Sequence, residues 1–194
     1  MDRKRLKQTI GLFIRRGSIA RGKYLKEKHI MNIVGTRVRY QPYIIPLYPE
    51  LIKLHNNIMI GAGVRLITHD ATFGVLNHLD NGNNMRFPER VGCIEVMDNV
   101  FIGYNATVLP NVRIGSNVII GACSTVTKDL EPNGVYVGTP ARRIGSFDEY
   151  VQKCAQTPEG EYNYPYVEQN QKISEKEVQR AWKFFNSERE SARA

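Results

Sequence analysis

The stretch VMDNVFIGYNATVLPNVRIGSNVIIGACSTVTKDL, residues 96–130, decides the fold. It divides into blocks of six residues, each beginning with an aliphatic side chain: Val96, Ile102, Val108, Ile114, Ile120 and Val126. The fifth positions are mostly small or aliphatic: Val100, Ala106, Val112, Val118, Ser124 and Leu130. The same spacing occurs earlier in the chain, with first positions Leu54, Ile60 and Leu66 and fifth positions Ile58 and Val64. The two regions are separated by the irregular residues 71–90.

The period of six excludes an amphipathic helix, because an α-helix has about 3.6 residues per turn and cannot keep such residues on one face. It fits short strands joined by tight turns. The fourth position of each block supplies residues that tolerate the left-handed backbone of such turns, with Cys123 the clearest exception: Asn57, Gly63, Asn99, Asn105, Asn111, Asn117, Cys123 and Asp129. The repeat therefore predicts a solenoid of stacked parallel coils, which residues 34–40 and 48–54 continue approximately.

The segment IGYNATVLPNVRIGSNVIIGACSTVTKDLEPNGVYVGTPARRI, residues 102–144, resembles the hexapeptide-repeat acyltransferases. Within that family the chain is most similar to the O-acetyltransferases of sugars, capsule and lipopolysaccharide, including the maltose and galactoside enzymes. The resemblance is dense from about residue 56 to residue 144. It implies a mainly β fold, a left-handed parallel β-helix of triangular section. It also implies a homotrimer with active sites between subunits, and acetyl-coenzyme A (acetyl-CoA) as co-substrate without a required metal.

His69 is the candidate general base. It lies in LITHDATFGV, residues 66–75, where the repeat stops. The resemblance implies that residues 70–90 form a loop leaving the coils and that the histidine at its root is catalytic. Acetyl transfer to a hydroxyl requires removal of the hydroxyl proton, a task that suits imidazole and contributes roughly 10²–10⁴-fold in rate. Asp70 is assigned with His78 to substrate binding, although Asp70 could orient His69 or simply cap the turn.

Five residues are assigned to acetyl-CoA by the resemblance. Gly103 and Ala122 would offer backbone contacts to the pantetheine arm. Thr127 and Lys128 match a Thr-Lys pair near the nucleotide, and Arg142 matches the basic residue of the closing GTPAR motif. Lys and Arg side chains form charge-assisted hydrogen bonds with phosphates. Solvated charge on turns is the alternative, and the place of both residues inside two linked motifs favours the phosphate contact.

The acceptor is expected to be a carbohydrate hydroxyl. Residues 36–50, TRVRYQPYIIPLYPE, do not match the segments with which the maltose and galactoside enzymes hold their sugars, so that acceptor does not transfer. Asn77, Asn81, Asn83 and Asn84 could bind hydroxyls or only form turns. His55 is expected to be structural. The alternatives are N-acetylation of an amino sugar or xenobiotic and a non-catalytic trimeric scaffold. A zinc hydratase is disfavoured because His69 and His78 lack a third histidine ligand.

The two ends of the chain complete the predicted organisation, with an N-terminal helical segment (1–30), the β-helix (31–145) and a C-terminal helical extension (146–194). Residues 1–28 hold ten Lys or Arg and two Asp or Glu. Leu6, Ile10, Phe13 and Ile14 predict an amphipathic helix that caps the open end of the coils or contacts an anionic membrane. Two capping boxes, Ser146 with Glu149 and Ser174 with Glu177, predict C-terminal helices, with Val178, Ala181, Trp182 and Phe185 lining one face of the second.

Three cysteines, Cys93, Cys123 and Cys154, have no metal-ligand spacing and suggest reduced thiols. No run of 18 apolar residues and no signal peptide is visible in the sequence. We therefore expect a cytoplasmic enzyme without a nucleic-acid partner.

Overall fold

The computed structural model describes residues 3–79, 85–156 and 173–191. Its helices are α1 (Arg3–Phe13), α2 (Ser18–Glu27), α3 (Phe73–Leu76), α4 (Phe147–Gln156) and α5 (Glu175–Ser191), with a 3-10 turn at Pro49–Leu51. Its strands up to the loop are β1 (Ile33–Val34), β2 (Val38–Tyr40), β3 (Ile52–Leu54), β4 (Ile58–Ile60), β5 (Arg65–Leu66) and β6 (His69–Asp70). The later strands are β7 (Arg90–Val91), β8 (Ile94–Val96), β9 (Val100–Ile102), β10 (Thr107–Val108), β11 (Val112–Ile114), β12 (Val118–Ile120), β13 (Thr125–Val126), β14 (Gly134–Val137) and β15 (Arg142–Ser146).

The strands stack in three sheets, and each of the three central coils (β3 to β5, β8 to β10 and β11 to β13) contributes one strand to each sheet. Face 1 has the order β1-β3-β8-β11, face 2 the order β15-β14-β12-β9-β4-β2, and face 3 the order β13-β10-β5. Pairing is parallel within these stacks except between β14 and β15. Ile94 lies opposite Val112, eighteen residues later, so three six-residue blocks make one coil. The solenoid of parallel coils predicted from the period of six is confirmed.

The aliphatic positions of the repeat form the core. Every first-position residue from Leu54 to Val126 and every fifth-position residue from Ile58 to Leu130 is buried. Three-residue strands on faces 1 and 2 bury their two outer residues and turn the middle one outward, as the two-residue side-chain period of a strand requires. Ser124, the least apolar interior residue, is also buried, and its Oγ accepts a hydrogen bond from the Gly138 N–H at 3.0 Å.

The turns between faces adopt the left-handed backbone that the fourth positions predict. Asn57, Asn99, Asn105, Asn111 and Asn117 have φ between 55° and 59°, and Cys123 reaches 58° despite its side chain. Along one corner the side-chain amides form a hydrogen-bonded ladder that joins successive coils: Asn57 to Asn99 at 2.8 Å, Asn99 to Asn117 at 2.9 Å and Asn117 to Asn133 at 2.8 Å. Asp129 is an exception, because its carboxylate instead accepts a hydrogen bond from the Arg113 N–H.

The N-terminal region contains two helices where the sequence predicts one amphipathic helix. Helix α2 packs on β1 and β2 of the first coil, and α1 packs on α2. The apolar face predicted for packing was wrong: Leu6, Ile10, Phe13 and Ile14 are exposed, whereas Leu12 is buried. Arg21 is also buried, and its Nε donates to the Tyr40 carbonyl at 2.9 Å. The end of the coils is therefore covered through α2.

The chain divides into two units, Met1–Asp148 and Glu149–Ala194. The first contains the N-terminal helices together with the coils, and the division falls shortly after the boundary expected at residue 146. Helix α4 begins at Phe147, as predicted. In the second unit Ser174 Oγ accepts a hydrogen bond from the Glu177 N–H at 3.3 Å, while the Glu177 carboxylate accepts one from the Ser174 N–H at 2.8 Å. This confirms the second capping box, which precedes α5. Trp182 and Phe185 contact each other, and both side chains are exposed.

No helix within the described parts of the chain is both long and apolar enough to cross a membrane.

Candidate active site

His69 lies in a short antiparallel stem that begins the loop. Strands β6 and β7 pair so that His69 is opposite Val91 and Asp70 is opposite Arg90. The Gly92 N–H donates to the Thr68 carbonyl at 2.8 Å, which continues the stem toward the coils. The sequence predicts the loop but not this stem, because two-residue strands are too short for a visible alternation of side chains. His69 lies outside the repeat, and its backbone is held in place by the pairing of β6 with β7.

The His69 side chain lines an apolar cleft of about 560 Å³. One wall comes from the end of face 3 and includes Val64, Leu66 and Ile67. The opposite wall comes from the last residue of β2 and from the segment between β2 and the 3-10 turn: Tyr40, Pro42, Tyr43, Ile44, Pro46 and Leu47. Tyr40 is buried, donates its hydroxyl to the Ile44 carbonyl at 2.8 Å, and has a pKa raised well above its usual value by burial, so it remains a neutral donor. The cleft is large enough for part of a small-molecule ligand.

The immediate partner of the His69 ring is Tyr48, which lies at the entrance to the 3-10 turn. The two rings meet edge to face at 6.1 Å. The Tyr48 hydroxyl donates to the Glu89 carboxylate at 2.8 Å, and this hydrogen bond raises the pKa of Tyr48. Its backbone is left-handed, with φ 53°, a strained conformation for an aromatic residue.

The His69 Nδ1 atom is buried and, among the residues that the structure describes, has no hydrogen-bond partner. A buried polar atom left unpaired costs roughly 1–3 kcal/mol, so such atoms need a reason to persist. His55 shows the contrasting structural case, because its Nε2 lies 3.1 Å from Glu95 Oε1, and Glu95 also binds Arg113 at 2.9 Å. The comparison separates a histidine used in packing the coils from one that faces a cleft.

Asp70 caps the turn that begins the loop. Its Oδ1 accepts a hydrogen bond from the Thr72 N–H at 2.8 Å, and the hydrogen bonds from Thr72 lower the pKa of Asp70. Of the two roles considered for Asp70 beside His69, this geometry favours the cap.

The described part of the loop contains local structure that its sequence does not predict. It contains the short helix α3, and Nδ1 of His78 lies 2.7 Å from the Gly74 carbonyl. His78 is exposed and is not among the residues lining the cleft, so the structure does not bring it to His69. Asn77 binds both backbone groups of Phe87, at 2.9 and 2.7 Å, which ties the two arms of the loop together. Asn81, Asn83 and Asn84 lie outside the described residues.

Gly103 and Ala122 are brought together on successive coils. A Cβ atom at Gly103 would lie 2.5 Å from the Ala122 nitrogen, so the coils stack closely here only because the position is glycine. The Gly103 N–H donates to the Ile120 carbonyl at 2.8 Å. Both residues occupy the corner between faces 2 and 3, and Ala122 is exposed.

Thr127 and Lys128 follow β13 at the opposite corner of face 3. Val126 is aligned through Val108 with Leu66, so Thr127 lies two coils from Ile67, a separation of roughly 10 Å at the usual strand spacing. Thr127, Lys128 and Arg142 are exposed. The Ala141 N–H donates to the Thr125 carbonyl at 2.8 Å, which places Arg142 beside this end of the stack. Face 3 therefore connects the level of His69 to Lys128, whereas Arg142 lies in β15 opposite Val137, at the edge of face 2.

Sequence reasoning missed Tyr48, Glu89 and the apolar wall from residue 42 to residue 47. The available signal was QPYIIPLYPE, residues 41–50, whose consecutive apolar residues interrupt the period of six. The ring contact between Tyr48 and His69 has no sequence signal, because it depends on how the insertion folds back.

Comparison with known proteins agrees with this architecture. The family model described as bacterial transferase hexapeptide (six repeats) matches residues 94–128. The chain is 30% identical over 129 residues to the putative acetyltransferase YvoF of Bacillus subtilis, covering 65% of this chain and 67% of that protein. It is 38% identical over 98 residues to galactoside O-acetyltransferase of Escherichia coli, covering 47% and 45%. A solved maltose O-acetyltransferase from Clostridium difficile superposes with a TM-score of 0.54 at 26% identity, covering 74% and 84%.

The chain therefore belongs to the hexapeptide-repeat transferase family. It spans about half the length of several curated relatives that it matches, including the galactoside enzyme.

Proposed function

We propose that this protein transfers the acetyl group of acetyl-CoA to a hydroxyl of a carbohydrate, with His69 as general base. The observation that carries the proposal is the position of His69, at the root of the loop and in the wall of the cleft, with one buried nitrogen unpaired. The similarity to a galactoside O-acetyltransferase and to a maltose O-acetyltransferase supports acetyl transfer to a hydroxyl as the reaction class.

The proposed reaction needs one proton transfer and one acyl transfer. The acceptor oxygen attacks the thioester carbonyl while His69 removes the hydroxyl proton. Collapse of the tetrahedral intermediate releases the coenzyme A thiolate, which takes up the proton, and leaves an acetyl ester on the acceptor. An imidazole held by a backbone stem and an aromatic neighbour is already oriented for this task, which reduces the entropy lost in reaching the transition state.

The residues along face 3 fit the chemistry of acetyl-CoA. Lys128 and Arg142 are exposed cations that can pair with phosphate groups, and Ala122 is exposed where Gly103 lets two coils approach closely. We infer a left-handed coil and a homotrimer whose sites lie between subunits, as the family resemblance implies. Sedimentation that gives a stable monomer at micromolar concentration would contradict the trimer.

The cleft beside His69 is lined mainly by apolar side chains. Residues 42–47 present proline and aliphatic side chains to the cleft, whereas sugars are held mainly through polar groups. We infer that the acceptor sugar carries an apolar portion that enters this cleft, and that its hydroxyl reaches His69.

The first experiment measures thiol release from acetyl-CoA with a panel of sugars, amino sugars and glycan repeats, each with and without an apolar aglycone. We expect His69→Ala to lower kcat by about 10²-fold or more. The affinity for coenzyme A, measured by calorimetry, should not change. His55→Gln is the matched control and should retain activity, because His55 contacts Glu95 on face 1. Equal turnover in His69→Ala and wild type would remove His69 from the mechanism.

A second pair of variants tests the assignment of Lys128 and Arg142 to coenzyme A. Lys128→Ala and Arg142→Ala should each raise the dissociation constant of coenzyme A by about five- to tenfold. The dissociation constant of pantetheine, which carries no phosphate, should change little. Unchanged coenzyme A affinity in both variants would contradict the assignment of Lys128 and Arg142 to its phosphates.

A further inference from the structure

Helix α1 exposes a stripe of large apolar side chains. Leu6, Ile10, Phe13 and Ile14 form this stripe, with exposed fractions of 43%, 53%, 68% and 68%. They fall on one side of the helix, and the Ile14 N–H still donates to the Ile10 carbonyl at 3.1 Å, which carries the helical turn through to Ile14. Contiguous exposed apolar side chains on a soluble body mark an interaction surface.

The rest of α1 is committed to the body of the protein. Leu12 is buried, and a Cβ atom at Gly11 would lie 2.1 Å from the Tyr24 hydroxyl, so α1 packs closely on α2 through these residues. Arg5 donates to the Ile45 carbonyl at 3.0 Å. These contacts hold α1 against its own unit through the side opposite the stripe. The stripe therefore faces outward and is available to a partner.

Positive charge surrounds the stripe. Residues 1–28 carry a net charge of +8, and the remaining 166 residues hold equal numbers of acidic and basic side chains. Arg3, Lys4, Lys7 and Arg16, beside the stripe along α1 and just after it, are all exposed. A surface that is apolar at its centre and cationic at its rim complements an anionic lipid bilayer.

We propose that the stripe of α1 docks on an anionic membrane, with its apolar side chains at the acyl boundary and its lysine and arginine side chains among the headgroups. A second copy of this chain is a poorer occupant, because pairing two such surfaces would bring two regions of the same charge together. The bilayer offers both the apolar layer and the opposite charge.

Docking has a consequence for the cleft. Phe13 of the stripe contacts Tyr43 with ring centroids 5.2 Å apart, and Tyr43 lines the cleft together with Ile44 and His69. The Arg21 guanidinium lies over the Tyr43 ring at 4.4 Å and holds it there. Where the acetyl-transfer proposal holds, docking therefore places the mouth of the cleft at the lipid surface, next to an acceptor carried by a lipid.

The test is flotation of the full chain, without acetyl-CoA, on vesicles of phosphatidylcholine alone or mixed with phosphatidylglycerol. We expect binding to the mixed vesicles that weakens as salt rises. Ile10→Ser/Phe13→Ser should weaken that binding by about tenfold or more, and Lys4→Glu/Lys7→Glu should do the same. The control Val151→Ser removes a comparably exposed aliphatic side chain from α4 and should bind as wild type.

Three results would overturn the inference. One is that wild type stays at the bottom of the gradient with both vesicles, and another is that the serine variant floats as wild type does. The third is that the serine variant sediments as a smaller species than wild type in the absence of vesicles, which would make the stripe a contact between copies. Circular dichroism of each variant checks that the fold survives. Because acetyl-CoA is absent from the assay, failure of the membrane inference leaves the acetyl-transfer proposal standing, and the reverse also holds.

Discussion

The ring of Tyr48 stands edge-on to the imidazole of His69, with an interplanar angle of 90° and centroids 6.1 Å apart. The Tyr48 hydroxyl is bound to Glu89, which lies just before β7 on the returning arm of the loop. One residue thus contacts the candidate base with its ring and the loop with its hydroxyl. The left-handed backbone of Tyr48 is intrinsically unfavourable for an aromatic residue, so contacts with the surrounding residues must hold it in this conformation.

Two variants of Tyr48 should separate these contacts. Tyr48→Phe keeps the ring beside His69 and should retain most of kcat, whereas Tyr48→Ala frees the imidazole and should lower kcat by about tenfold. The measurement is kcat and KM for thiol release with the acceptor found in the panel. Glu89→Gln is the control, since its amide oxygen can still accept from the tyrosine hydroxyl. Wild-type kcat in Tyr48→Ala would show that the ring does not position His69.

The strain at Tyr48 makes a separate prediction about stability. Tyr48→Gly should be more stable than Tyr48→Ala by about 1 kcal/mol, because glycine adopts the left-handed backbone without a Cβ clash. Both variants lack the ring, so both should be equally slow. Denaturant unfolding of the two variants measures the difference. An alanine variant that is as stable as the glycine variant would contradict the presence of strain.

Asn77 should control the order of the loop. Asn77→Ala removes both hydrogen bonds to the Phe87 backbone, which together stabilise the closed loop by about 1–3 kcal/mol. We expect faster hydrogen exchange at the Phe87 amide and a higher KM for the acceptor, with coenzyme A affinity unchanged. Asn77→Asp keeps the acceptor for the Phe87 N–H and should lie between alanine and wild type. Unchanged exchange at Phe87 in the alanine variant would rule out this role.

Much of the fold could be predicted because the coils are built from local rules. The period of six sets the strand spacing, and the aliphatic positions that it identifies are the buried ones, from Leu54 to Leu130. Each asparagine of the fourth position makes its own turn. Six consecutive residues were therefore enough to predict each turn, and the repetition of the block predicted the stacking of the coils.

The N-terminal helix and the walls of the site were harder to predict because they depend on contacts between distant segments. The pattern of Leu6, Ile10, Phe13 and Ile14 indicated a helix correctly, but the buried residue of that helix is Leu12. The position of His69 was visible from the end of the repeat. Tyr48 reaches it only because residues 41–51 fold back over the end of face 3.

The asparagine ladder should contribute to stability in two separable ways. Asn117→Ala loses the side-chain hydrogen bonds to Asn99 and Asn133 and also places alanine in the left-handed region, so we expect a loss of about 2–3 kcal/mol. Asn117→Gly loses the hydrogen bonds but not the backbone compatibility, and should lose about 1 kcal/mol. Thermal unfolding at fixed protein concentration measures both. Equal melting temperatures for the two variants would show that the backbone conformation is not strained at this corner.

Glu95 should make the coils sensitive to acid. Its carboxylate binds His55 and Arg113 on face 1, and the hydrogen bond from His55, followed by that from Arg113, lowers its pKa below the ordinary 4.5. Because the folded pKa is lower than the unfolded one, the unfolded chain binds more protons as the pH falls. The stability that Glu95 contributes is then complete above the unfolded pKa and is lost as the pH falls through the folded pKa.

We therefore expect Glu95→Gln to melt below wild type at pH 7 and to converge with it as the pH is lowered past the folded pKa of Glu95. The melting temperature of both proteins, followed from pH 7 to about pH 3, measures this convergence. Glu131→Gln, a change at an exposed acid on a corner of the same unit, is the matched control. Wild-type and Glu95→Gln curves that stay parallel over the whole range would show that the pairing of Glu95 with His55 and Arg113 adds nothing to the stability of the fold.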